Sequence, residues 1–276
     1  MMSIACRICA CLLFAAEFSA ATAQGFRVEG QVYRIDQSST SGRAAEIRLA
    51  SSVTLFHKGN VYDYEESADE VIIFEPTARR FTILNTARGL RTNADFDEIG
   101  HLMDSRRIES KRYLQELRQT AQRGADKVVR SLEFELAPSF RTEFDATGGV
   151  LKLNSDSWKY RVETHAWEDA DQVREYLVYA DWISQLNSVL HPDSRFPEPR
   201  ILLNKKLREL NRVPTSVTRD LRPSQPLILR ADHKFIADLS PDDRRLIRVW
   251  NALAKDSSLS QLSLRSYQEA VLVSQR

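Results

Sequence analysis

The side chains able to do chemistry are spread thinly along these 276 residues. Five histidines, His57, His101, His165, His191 and His233, stand at separations that build no two-ligand helix or hairpin pair, so their spacing forms no metal site. Ser155, His165 and Asp169 lie close in sequence and supply the residue types of a nucleophile, a base and an orienting acid. No Gly-x-Ser-x-Gly turn accompanies them, and a triad is defined by geometry rather than by proximity along the chain. The acidic run Asp63, Glu65, Glu66, Asp69, Glu70 and Glu75 contains no intervening Lys or Arg. It suits a calcium ion or a basic partner, and it suits better a solvated hairpin edge whose charge keeps it from pairing with other sheets.

Two stretches lean basic: Arg106, Arg107, Lys111, Arg112, Arg118, Arg123, Lys127 and Arg130, then Arg195, Arg200, Lys205, Lys206, Arg208 and Arg212. Both fit contact with lipid headgroups or polysaccharide; the interleaved acids make a plain solvated helix face the better fit. Trp158, Trp167, Trp182 and Trp250 follow strand and helix periods, which reads as core more than as a platform for sugars or lipid. Neither a Gly-x-x-x-x-Gly-Lys loop nor a Gly-x-Gly-x-x-Gly turn is present, so the sequence offers no cradle for nucleotide phosphates. No catalytic residue, cofactor, metal or ligand-binding residue is assigned from the sequence.

The amino terminus bounds the compartment. Arg7 precedes an apolar run from Ile8 to Ala16, and Ser19, Ala20, Ala21, Thr22 and Ala23 place small residues where a signal peptidase inspects them. The apolar run is about half of the ~20 residues a membrane helix needs. Residues 1–23 therefore read as a cleaved signal peptide, and the mature chain as exported, periplasmic or secreted, with no transmembrane segment after cleavage. Cys6, Cys9 and Cys11 all lie in that leader, so a chain starting at Gln24 has no disulfide and no thiolate chemistry. Losing Arg7 and Glu17 leaves the net charge at +1, which gives no reason to expect nucleic acid as a partner.

From Phe26 to Thr92 the residues alternate in short apolar runs broken by turns, Lys58-Gly59-Asn60 and Glu75-Pro76 among them, which predicts a meander of antiparallel strands. Asp95 to Glu98 opens a helix running to about Arg123. Strand patterning resumes at Val128 and continues through Leu132 to Leu136, Phe140 to Phe144, Val150 to Leu153 and Trp158 to Trp167. From Asp169 the period becomes helical: Val173, Tyr176, Leu177, Ala180, Ile183, Leu186 and Leu190 share a face, and a further helix runs through Leu202 to Leu210. Ser240-Pro241-Asp242-Asp243 combines a cap, a first-turn proline and two acids facing the helix dipole, and Leu246, Ile247, Trp250, Leu253 and Ala254 make the buried stripe behind it.

The strand Val28 to Tyr33, the hairpin Phe56 to Tyr64 through Gly59-Asn60, and Ile72-Ile73-Phe74-Glu75-Pro76 resemble the half-barrels of the outer-membrane lipoprotein carrier and receptor family over residues 26–168. That resemblance implies a curved antiparallel sheet wrapped around helices, with acyl chains held on an apolar face. The expected fold is α+β: a curved, half-barrel-like antiparallel sheet in 24–168 with a helix inserted at about 95–123, and an α-rich region in 169–276 forming a second domain or a lid. The function expected from these readings is a non-enzymatic envelope protein binding an apolar ligand, a lipid or an acylated protein. The alternatives are an envelope interaction or scaffold protein with a protein partner, and a hydrolase using paired carboxylates.

Overall fold

The computed structural model describes residues 25–36, 45–120, 124–191, 194–221 and 227–273. The expected leader and its cysteines lie outside the described residues. The first hairpins form where turn chemistry demands them. Strand β1 (Phe26–Asp36) pairs with β2 (Ala45–His57), which turns into β3 (Asn60–Glu65) through Lys58 and Gly59. Their φ values of 54° and 76° are the paired left-handed conformations that a two-residue hairpin needs. Strands β4 (Glu70–Glu75), β5 (Arg80–Asn85) and β6 (Leu90–Asp95) complete the meander. The apolar pattern did not mark β6, whose Thr92 and Ala94 are nevertheless fully buried because its backbone completes the sheet.

Helix α1 (Phe96–Thr120) begins within a residue of its expected start. Helix α2 (Ala125–Leu136) corrects the strand expected from Val128 to Leu136. Leu132, Phe134 and Leu136 alternate with period two, but Val128, Leu132 and Leu136 also recur at helical spacing, and contacts decide between them. Phe134 meets Phe140 and Trp158 at ring separations of 5.1 and 5.7 Å, and buried Glu135 accepts the amide of Phe196 at 3.1 Å. Strands β7 (Arg141–Asp145), β8 (Val150–Asn154) and β9 (Lys159–Ala166) follow. Helix α3 (Ala170–Leu190) is capped by Asp169, whose carboxylate accepts the amides of Asp171 and Gln172.

The C-terminal part is α-rich, with α4 (Glu198–Glu209), α5 (Pro241–Leu253) and α6 (Leu264–Val273), but it also supplies β10 (Arg212–Asp220), β11 (Ile228–Ile236) and the short β12 (Ser260–Leu262). The strand order is β12-β6-β5-β4-β3-β2-β1-β11-β10-β9-β8-β7, antiparallel except where β12 meets β6. One curved, open sheet therefore runs across the boundary at 168/169, with β10 and β11 standing between β1 and β9. The region after residue 168 thus contributes to the sheet itself as well as covering it. No helix among the described residues is long and apolar enough to cross a membrane.

The sheet is covered on both faces. On the outer face α5 lays Ile247 and Trp250 on Leu55, Tyr62, Val71, Ile73 and Leu84, while Leu246 of the expected stripe points outward at 37% exposed. The capping box expected at Ser240 forms with Asp243, which also reaches back to Arg27 of β1 at 2.6 Å. On the inner face, cross-strand pairing aligns side chains into rows. Phe26, Phe56, Val61, Phe74, Phe81 and Ala94 form an apolar row that the helices α1 and α3 pack against, with Phe96 stacked on Trp182 at 3.7 Å. Burial of each large side chain there stabilises the fold by about 1.5–3 kcal/mol.

Candidate functional site

Moving along the strands from that apolar row, the inner face turns polar. The next row reads Phe235, Val28, Thr54, Asp63, Ile72, Ile83 and Thr92, and the one after it His233, Gly30, Ser52, Glu65, Glu70 and Asn85. Where β1 and β2 carry only Gly30 and Ser52, and α3 faces them with Ala180 and Ser184 one helical turn apart, little side-chain volume fills the gap. A cavity of about 260 Å³ remains, bounded by these residues together with Asp63, Tyr176, Tyr179, Ile183, Asn187, Arg200 and His233.

The wall of this cavity is built from buried titratable groups. Asp63 accepts from the Thr54 hydroxyl at 2.8 Å and from the Tyr179 hydroxyl at 2.6 Å. Burial raises its pKa above the ordinary aspartate value, a rise that these two donors only partly offset. The Tyr179 hydroxyl is pushed far above its ordinary value by burial and by the adjacent carboxylate, so it remains a donor. His233 is pushed down to about 3, first by burial and then by the Arg200 charge, and so stands neutral. Asp63 and His233 both line the cavity and keep part of their surface accessible. His233 Nε2 has no hydrogen-bond partner among the described residues.

Ser184, Asn187 and Arg200 also line an adjoining cleft of about 460 Å³, together with Ser188, Ser194, Arg195, Phe196, Pro197, Arg219, Leu221 and Leu227. It lies between the C-terminal end of α3, the start of α4, and β10. A further hollow of about 440 Å³, lined in part by Glu46, Lys152, Lys159, Arg161, Asp220 and Arg230, carries charges of both signs, with Arg230 pairing with Glu46 and Asp232.

The residues weighed in the sequence are mostly committed to the fold. Ser155 bonds Trp158 and Ser157 in the β8–β9 turn, and Asp169 caps α3. His165 is exposed near the far end of β9, six strand residues or about 20 Å beyond its start, so the three do not converge. The acidic run divides between the two faces. Glu75 pairs with Arg80, Glu70 accepts from the Tyr267 hydroxyl of α6, and Asp63 faces α3, where it accepts from the Tyr179 hydroxyl. The tryptophans pack in the cores: Trp158 is 1% exposed, and Trp250 stacks over Tyr62 and Tyr64. Of the basic residues, Arg106, Arg107, Arg195 and Arg208 tie helices together, whereas Arg200 reaches the cavity. Among the described residues, no group of three or more His, Cys, Asp or Glu is placed to hold a metal ion. Comparison of the chain with protein-family models and with curated proteins finds no match.

Proposed function

We propose that this chain is an exported, non-enzymatic binding protein of the cell envelope that holds a small ligand or the acyl-bearing segment of a partner between the sheet and α3/α4. The observation that carries this reading is the cavity of about 260 Å³ with its adjoining cleft of about 460 Å³, both lined by side chains from strands and helices. Sites of this kind, concave and walled by rigid elements with a few converging polar groups, are where small molecules bind. The likeness to lipoprotein carriers is supported by the open curved sheet and by the helix inserted after β6. Export is supported by the layout of residues 1–23.

Two features move the reading away from a wholly apolar ligand. Aromatic side chains of α1 and α3 already occupy the apolar row of the inner face, and the space left over faces Asp63, His233, Asn187 and Arg200. Paired carboxylates are not brought together here: Asp63 has both oxygens engaged by neutral donors, and among the described residues no second carboxylate lines either hollow. Native mass spectrometry with lipid extraction, on protein purified from the compartment to which its host exports it, tests the proposal. A stoichiometric small molecule or acylated species is the expected result. A bare mass, together with a stable protein complex recovered from the same extract, would favour the scaffold alternative.

A further inference from the structure

The cleft has an unbalanced charge. Among the described residues its lining holds three guanidiniums, Arg195, Arg200 and Arg219, the hydroxyls of Ser184, Ser188 and Ser194, and no aspartate or glutamate. Arg195 is neutralised from behind by Glu135. The other two are held in place by neutral groups. The Arg200 guanidinium lies against the Tyr176 hydroxyl, and Arg219 lies against the Tyr160 hydroxyl and 5.6 Å above the Trp158 ring. Among the described residues neither forms an ion pair with a carboxylate. Tyrosine and tryptophan orient a guanidinium without cancelling its charge. Two half-buried cations that are positioned by neutral groups, with no carboxylate paired to them among the described residues, make a site suited to an anion.

Resting on the binding-protein reading above, we infer that the cleft binds the phosphate monoester head of an amphiphile, with Arg200 and Arg219 as the two anion-holding residues. The charge matches: a phosphate monoester carries about −1.5 to −2 near neutral pH, against two uncompensated guanidiniums. The geometry suits it too, since guanidinium forks engage phosphate oxygens in pairs. Phe196, Leu221 and Leu227 form the apolar side of the same cleft, where the chain next to the head is accommodated.

The test is calorimetric titration of the full mature chain with three probes: a monoacylglycerol phosphate, the uncharged monoacylglycerol of equal chain length, and inorganic phosphate. The phosphate-headed amphiphile binds at least about tenfold tighter than the uncharged one, and R200Q and R219Q each remove about tenfold of that preference. Rising salt weakens the charged probe and leaves the uncharged one unchanged, a readout on the unmodified protein that does not depend on how the variants fold. Inorganic phosphate binding as tightly as the amphiphile would keep the anion site and assign it to a free phosphate. Equal affinity for the charged and uncharged amphiphiles, in wild type and variants alike, would overturn the anion site while leaving the binding-protein reading intact. Failure of all three probes to bind would overturn the anion site, and native mass spectrometry would then decide the broader reading on its own.

Discussion

Replacing Tyr179 by phenylalanine probes the wall of the cavity at one atom. The ring of Tyr179 packs among Phe56 and Phe74 and is kept by the substitution; only the hydroxyl is lost. That hydroxyl lies 2.6 Å from Asp63 Oδ2, and among the described residues Thr54 then remains as the sole side-chain donor to the carboxylate, on Oδ1. A hydrogen bond to a charged acceptor contributes roughly 1.5–3 kcal/mol, so Y179F is destabilised by about 2 kcal/mol at pH above the raised folded pKa of Asp63, where the carboxylate is ionised. The assay is urea unfolding, with the midpoint lowered and the slope unchanged.

The pH dependence has a definite sign. Asp63 has a folded pKa raised above the ordinary aspartate value of 3.8. The native state therefore keeps a proton that the unfolded chain has released, and the associated stability is present in full below 3.8 and lost as pH rises through the folded pKa. Removing a donor to the ionised form raises that pKa further, so the deficit of Y179F is complete above the folded pKa and shrinks as pH falls toward 3.8. In a D63N background the same Tyr to Phe change removes only a neutral hydrogen bond of about 1 kcal/mol, which leaves a coupling of about 1 kcal/mol between the two sites. A deficit below about 0.5 kcal/mol, or no coupling, would refute the reasoning by showing that water, not Tyr179, solvates Asp63.

Two further outcomes follow from the same geometry. Asp243 closes the α5 capping box and meets Arg27 with its own side chain 3% exposed, so D243A lowers stability by about 3 kcal/mol, softened because Arg27 keeps Glu29 at 3.0 Å. Burial alone would raise the Asp243 pKa, but the Ser240 donors and Arg27 outweigh it and depress it below 3.8. The stability it contributes is thus present above 3.8 and lost as pH falls through the lower folded value, and a D243A deficit persisting unchanged in strong acid would contradict the ion pair. For His233, held neutral with a pKa of about 3, the imidazole proton resonances stay fixed while the solution is titrated from neutral to mildly acidic pH; a midpoint near the ordinary 6.5 would show the cavity to be open and wet.

Local chemistry made much of this fold legible in the sequence. The Lys58-Gly59 turn, the Asp169 cap and the Ser240 capping box are interactions among residues a few positions apart, so they act wherever the segment is placed. The same holds for the short apolar runs of β3, β4 and β5 between their turns and for the helical period of α3, which together led to a curved antiparallel sheet with helices against it. Other features depend on distant partners. Residues 128–136 carry two periodicities at once, and the contacts of Phe134 with Trp158 and of Glu135 with Phe196 select the helical one. Strands β10 and β11 acquire their identity by filling the space between β1 and β9. Asp63 belongs to an acidic run that reads as a solvated edge, yet its pairing with Thr54 and Ile72 turns it inward beneath Tyr179. The candidate site was illegible for the same reason: Gly30, Ser52, Ala180, Arg200, Arg219 and His233 lie far apart along the chain, and only strand register and helix docking bring the small residues opposite one another and leave two arginines beside the space they open.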